Sequence, residues 1–284
     1  MAKPTLFPES GFRRLRIELS YDGTNFAGWA KQPDQRTLQE QLESALSKLA
    51  HEPVNTVVAG RTDAGVHAIQ QFVHADIPAN PPHADMDWDI NNWAYRLNRI
   101  LDEDIRILKV DYAPEGFHAR FSANARHYTY KIADGLQTIP PLIRFDVAPW
   151  YRELDVDLMN EVSAKLLGQH DFSAFCKFRE GSTTIRTLTK FHWYRLPNGY
   201  LAADVSADAF CYSMVRNLVG AAACVGEGRY PQEWMLEMLE NRERVPDSFV
   251  FPGRGLTLIR VDFPADDQLA TKAAESMARR MEEE

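Results

Sequence analysis

The chain has 284 residues, 45% hydrophobic and 25% charged, which is ample material for one large core or two ordinary ones. Three cysteines, Cys176, Cys211 and Cys224, are too few and too scattered for a disulfide framework or a metal cluster, and read as buried thiols of a reducing compartment. A formal net charge of −8 argues against a uniformly basic nucleic-acid-binding surface.

Nothing in "MAKPTLFPESGFRRLR" has the apolar stretch of a signal peptide, and no run reaches the roughly 18 apolar residues of a membrane helix. A cytoplasmic protein with no membrane association is expected. The charge is uneven: acid gathers in "HADMDWDINN", "LDEDI" and "RRMEEE". Cations gather in "FRRLR", in "FHARFSANARHYTYK", and at Lys177, Arg179, Arg186 and Lys190. A basic cleft on an acidic body is compatible with that distribution.

"RRLRIELSY" alternates, with Leu15, Ile17, Leu19 and Tyr21 on one face, which predicts a half-buried strand. "TLQEQLESALSKLA" predicts a helix: Thr37 and Glu40 have capping-box spacing, and Leu38, Leu42, Ala45, Leu46 and Leu49 form one stripe. "VNTVVA" and "IQQFVHADI" read as strands, "WAYRLNRIL" as a helix and "DIRILKVDY" as a strand. The second half repeats the kinds of element: strand "RHYTYKIAD", then helix "VDLMNEVSAKLL" ending at Gly168. Strands "TLTKFHWYRL" and "YLAADVSAD" follow, joined at the hairpin turn "PNG". Helices "SMVRNLVGAAACVGEG" and "PQEWMLEMLEN" and strand "LTLIRVDF" complete the set. Element order suggests two α+β halves of pseudo-symmetric design. An N-terminal domain over 12–115, a C-terminal domain over 116–265 and a polar, peripheral tail over 266–284 are expected.

"VVAGRTDAGVHA" (57–68) stands out, because an arginine and an aspartate sit in a glycine-bracketed turn directly after an apolar strand. Glycine, Asp and Thr are ordinary turn formers, so a plain connecting loop is the bland account. Such a loop has no need of Arg61, however, and Gly65 beside Asp63 leaves a carboxylate where backbone can approach a ligand. The stretch is no P-loop, lacking the Lys-Ser/Thr ending, and no partner carboxylate for a glycosidase pair stands out. One aspartate beside an arginine points to a nucleophile held ionised by a cation. His67 reads as a hydrogen-bonded turn residue, and His170 with Asp171 as a local turn and not a metal site.

"GRTDAGVHA" closely resembles the catalytic motif of the tRNA pseudouridine synthase A family, and further blocks agree in order and spacing. These are "YDGTNFAGWAKQ", "TLQEQLESAL", "FHARFSANARHYTYKI", "LLGQHDFSAF", "FCYSMVRNLVG" and "GLTLIRVDFP", and the resemblance as a whole covers about residues 12 to 264. The resemblance implies that Asp63 is the catalytic aspartate and that Arg61 helps displace the target base. It implies that Tyr128 is the active-site tyrosine, that Arg216 pairs with the carboxylate, and that Leu258 lines the pocket. The implied reaction breaks the N1–C1′ bond of uridine and rejoins the base through C5, with no cofactor or metal. The carboxylate could attack C1′ or C6, and Tyr128 either takes the C5 proton or stacks on the uracil. Because an ordinary phenol is a poor base, stacking is at least as good a role for it.

The target base must be flipped out of a folded RNA. Phe26, Trp29, His118, Arg120, Arg126, Lys131 and Arg186 are the candidates for phosphate or base contacts. Phe26 and Trp29 would equally serve as core aromatics, and Arg120 as half of a structural ion pair. By resemblance the fold is two α+β domains with antiparallel sheets of ferredoxin-like or RRM-like character, facing one another across the catalytic cleft of a homodimer. The substrate implied is the anticodon stem-loop of tRNA, at RNA positions 38 to 40. A synthase acting on another RNA, a non-catalytic RNA-binding protein of the same fold, and a hydrolase using the same carboxylate on nucleosides are the alternatives. The acidic, tryptophan-containing stretch over 83–104 and "FPGRGLTL" depart from the family pattern and bear on substrate range.

Overall fold

The computed structural model describes residues 5–83, 86, 88–177, 183–242, 244 and 250–283, with side chains described to 278. The chain divides into two compact units: Ala125–Ile259, and the residues up to Asn124 together with Arg260–Glu283. The first division therefore falls at 124/125 and not near 115. The C-terminal stretch belongs with the N-terminal unit instead of standing apart.

The first unit is built on β1 (Phe12–Tyr21). Next come α1 (Leu38–Ala50), β2 (Thr56–Val58) and β3 (His67–Pro78). Helix α2 (Trp93–Ile100) and β4 (Ile105–Tyr112) follow. Strand β1 lies between β3 and β4, antiparallel to both, so that Ile17 stands opposite Val73 on one side and Val110 on the other. The alternation expected of β1 is real: Leu15, Ile17 and Leu19 are wholly buried, while Arg16 and Glu18 face the other way. Leu38, Leu42, Leu46 and Leu49 of α1 form the buried stripe that its spacing predicts.

The capping box at Thr37 does not form; the threonine hydroxyl is buried without a partner. Its task is done by backbone. The Leu38 and Gln39 amides donate to the carbonyls of Gly28 and Trp29 at 3.2 and 2.9 Å, so loop 22–29 satisfies the free N–H groups of the helix start. The other face of the sheet holds a buried arginine. Arg14 donates to both carboxylate oxygens of Asp76, at 2.8 and 2.9 Å, and to the carbonyls of Leu6 and Phe117.

The second unit contains β5 (Ala125–Asp134), β6 (Ala148–Trp150) and α3 (Val156–Ala164). Strands β7 (Gly168–Asp171), β8 (Ile185–Arg195) and β9 (Leu201–Ala207) follow. Then come α4 (Met214–Gly226) and α5 (Glu233–Asn241). Strands β5, β9, β8 and β7 lie side by side and antiparallel, with the short β6 parallel to β5. The β8–β9 hairpin turns at Pro197-Asn198-Gly199, as its sequence predicts. Asn160 ties α3 to β8 by bonding both the amide and the carbonyl of Trp193, at 2.8 and 3.0 Å. Helix α4, apolar almost all round, is buried along nearly its whole length.

Strand β10 (Leu256–Asp262) contributes its residues up to 259 to the second unit and the rest to the first. Helix α6 (Leu269–Glu283) then returns to the first unit. Leu269 joins Phe117 and Ala119 in a buried cluster, and its carbonyl accepts from the Ser122 hydroxyl at 3.1 Å. The expectation of a peripheral tail from 266 is corrected here: an apolar residue anchors its start in a core. Both units are α+β with antiparallel sheets, in keeping with the fold class expected.

Candidate active site

Strand β2 delivers the motif. Its ladder with β3 pairs Thr56 with Ala75 and Val58 with Val73, and the Ala59 amide still reaches the Phe72 carbonyl at 2.8 Å. Beyond it the chain leaves the sheet through Gly60, Arg61 and Thr62. It reverses over Asp63–Val66, where the Val66 amide donates to the Asp63 carbonyl at 3.2 Å and Gly65 adopts φ +76°. Arg61 is exposed and Asp63 is half-buried, so the carboxylate is not sealed inside the unit. A strand end followed by a tight turn is a sound place to present a reactive side chain on rigid backbone.

Loop 22–29 clasps this turn. The Trp29 amide donates to the Thr62 carbonyl at 3.0 Å, and the Gly65 amide to the Phe26 carbonyl at 3.4 Å. Two glycines permit the approach. A Cβ on Gly23 would overlap the Val66 carbonyl oxygen, and one on Gly28 (φ +106°) would lie 2.9 Å from the Thr62 carbonyl oxygen. His67 Nδ1 accepts from the Gly23 amide at 3.1 Å, the turn role expected of it, and lies 3.0 Å from an Asp22 carboxylate oxygen. Burial raises the Asp22 carboxyl, but the bonds it accepts from the Thr24 hydroxyl and amide hold the group below the usual carboxylate range.

In the second unit Tyr128 stands on β5, nearly buried, edge-on to Phe210 with ring centroids 5.3 Å apart. Arg216 sits in the first turn of α4, and its Nε donates to the Phe251 carbonyl at 2.6 Å. Tyr130 is close by and donates to the carbonyls of Pro252 and Arg254; burial raises its hydroxyl well above the ordinary phenol range, against the pull of Arg216. Leu258 is wholly buried in β10, which leaves it no free surface for a substrate in this conformation.

Several expected RNA contacts are corrected by burial. Phe26 and Trp29 are core aromatics, 3% and 1% exposed, and the Arg36 guanidinium covers the Phe26 ring at 4.0 Å. His118 is buried against His74 and Phe121, and its Nδ1 accepts from the Phe121 amide at 3.2 Å. Burial, with Arg14 and Arg120 nearby, pushes its pKa down to about 4, so it is neutral at pH 7. Arg126 is buried and gives a hydrogen to the Asp208 carbonyl at 2.6 Å. Desolvation pushes its pKa down to about 10.

Lys131 is held by both oxygens of Asp146, at 2.9 and 2.7 Å. Arg186 is half-buried and bonds the carbonyls of Ile185 and Thr183. Arg120 alone of the set is exposed, with its guanidinium 5.1 Å from the Phe121 ring. The cation at Arg179 lies outside the described residues, as do Ala84, Asp85 and Asp87 of the acidic stretch. His170 and Asp171 end β7, and Asp171 caps a turn through the Ser173 amide and the Thr184 hydroxyl, as a local structural group does.

Two features were missed in the sequence. Cys176 and Cys211, read as separate thiols, are bonded through sulfur with Cα atoms 5.8 Å apart, and only Cys224 is free. Glu43 of α1 is a buried carboxylate that accepts from the Thr56 amide and hydroxyl at 2.7 and 2.9 Å and pairs with Lys31. It locks the helix to the strand that carries the motif. Its place at i+4 from Gln39 on the buried face was the available signal.

The family model described as tRNA pseudouridine synthase matches residues 19–122 and 162–264. A tRNA pseudouridine synthase A of Frankia casuarinae is 49% identical over 272 residues, covering 95% of this chain and 97% of that one. Namesakes from Streptomyces griseus and Mycobacterium leprae are 48% and 46% identical, covering 94% and 92% of this chain and 94% and 93% of their own. The chain belongs to the tRNA pseudouridine synthase family. The crystal structure of a Cbf5-Nop10-Gar1 complex aligns with 89% of this chain and 60% of its own at a TM-score of 0.36 and 9% identity, too distant to bear on the site.

Proposed function

We propose that the protein is a tRNA pseudouridine synthase acting on uridines 38 to 40 of the anticodon stem-loop, with Asp63 as the nucleophile. The observation that carries this reading is the turn at 60–66. It holds a half-buried aspartate beside an exposed arginine at a strand end, in a chain that matches a relative over 95% of its length. The carboxylate of Asp63 attacks C1′ or C6 of the flipped uridine while the N1–C1′ bond breaks. The base turns, C5 bonds to C1′, the bond to the carboxylate breaks, the C5 proton leaves and N1 takes up one proton, so atoms balance without oxidant, metal or nucleotide. Arg61 assists displacement of the base, Tyr128 supports the uracil, and Arg216 steadies the nucleophile. The enzyme works as a homodimer in the cytoplasm, where its tRNA substrate is.

The test is incubation of the purified protein with unmodified tRNA transcripts and no cofactor, with pseudouridine mapped at nucleotide resolution. Asp63→Ala should lose all product and keep tRNA binding. Turnover by that variant refutes the nucleophile, and release of free uracil refutes the isomerase in favour of a hydrolase.

A further inference from the structure

The ladder between β2 and β3 stops at Ala59, so it does not by itself fix the three residues that lead to Asp63. A buried side-chain network takes over there. Gln71 of β3, wholly buried, donates from Nε2 to the Gly60 carbonyl at 2.8 Å and to the Tyr21 hydroxyl oxygen at 3.3 Å. Its orientation is set by the Phe72 amide, which donates to Gln71 Oε1 at 3.2 Å. The Tyr21 hydroxyl is 2.9 Å from the Thr62 hydroxyl, and both residues are buried. The tyrosine oxygen also accepts from Gln71, so the phenol links Gln71 of β3 to the Thr62 hydroxyl in one buried chain of hydrogen bonds. The Thr62 carbonyl is held independently by the Trp29 amide. Both sides of the backbone just before Asp63 are thus bonded to groups that water does not reach.

We propose that Tyr21, Thr62 and Gln71 are positioning residues for the Asp63 carboxylate, acting on the chemical step and not on RNA binding. The proposal rests on Asp63 being the nucleophile. Burial holds the Tyr21 hydroxyl up to about 12, so it stays protonated and neutral across the whole working pH range. None of the three makes surface available to an RNA, which separates their role from capture of substrate. A reacting group misplaced by about 1 Å loses on the order of 100-fold in rate.

Thr62→Val keeps the shape of the side chain and removes the hydroxyl that bonds Tyr21; Thr62→Ser keeps that hydroxyl. The assay is single-turnover and steady-state kinetics on tRNA transcripts, with thermal midpoints of each variant alongside Asp63→Asn. Thr62→Val should lose roughly 10- to 100-fold in kcat with KM within about twofold, and Thr62→Ser should restore most of the rate. Should Thr62→Val fail to fold, Tyr21→Phe keeps the ring against Trp29 and is read in the same way. Wild-type kcat with a lowered melting point, or a loss confined to KM, overturns the proposal. If Asp63→Asn is dead while Thr62→Val turns over normally, only the positioning role falls. If Asp63→Asn turns over, the nucleophile itself was misassigned.

Discussion

Glu43→Ala measures how firmly the motif-bearing strand is held. Glu43 is 3% exposed, and its Oε1 accepts from the Thr56 amide at 2.7 Å, the Thr56 hydroxyl at 2.9 Å and Gln39 at 2.9 Å. Its ion pair with Lys31 contributes less than about 1 kcal/mol, because the lysine is half-exposed and rehydrates when the partner goes. The two bonds from Thr56 matter more. Each is buried and ends on a carboxylate, and a buried N–H left without a partner costs roughly 1–3 kcal/mol. Together these give a loss of about 3 kcal/mol for Glu43→Ala, or roughly 6–12 °C in the melting temperature of the first unit. Glu43→Gln keeps the accepting oxygen and loses only charge assistance and the lysine, about 1 kcal/mol. Differential scanning calorimetry of the three proteins at neutral pH reads both shifts. Equal melting of Glu43→Ala and the parent, or a Gln variant worse than the Ala one, would sink the argument that this carboxylate braces β2.

His74 and His118 are both depressed below the ordinary imidazole value, His118 to about 4, chiefly by burial and then by Arg14. The stability they contribute is therefore whole above about pH 6.5 and is lost as pH falls towards 4; His118 alone accounts for about 3 kcal/mol, and His118→Asn should flatten that part of the pH–stability curve. An unchanged acid limb in the variant contradicts the assignment. Cys176 and Cys211 are joined and Cys224 is not, so the unreduced, denatured protein should titrate one thiol and the reduced protein three. Three thiols before reduction would show that the pair is not oxidised as purified.

What the sequence made legible is what local pattern controls. The alternation of Leu15, Ile17 and Leu19, the stripe of Leu38, Leu42 and Leu46, and the turn at Asn198-Gly199 each encode their element within a few residues. Thr37 looked like a cap because capping spacing is local too. The competing acceptors, the Gly28 and Trp29 carbonyls, lie eight or more residues upstream, in a loop held by the turn between β2 and β3. The failures among the candidate RNA contacts share a cause. His118 and Arg126 are polar by type, and only tertiary packing shows that they are covered and bonded internally. Cys176 and Cys211 are 35 residues apart, a separation from which no spacing rule could pair them. The motif itself was legible as a turn between strands, whereas its support by Tyr21 and Gln71 depends on contacts 41 and 11 residues distant.

The first unit is discontinuous: it opens with β1 and closes with the end of β10 and α6, and Leu269 fills the same cluster as Phe117. During translation the domain begun first is consequently finished last. More than a hundred residues of the other unit must emerge before Leu269 reaches its seat, so a ribosome stalled midway leaves Phe117 and Ala119 uncovered and invites chaperone capture.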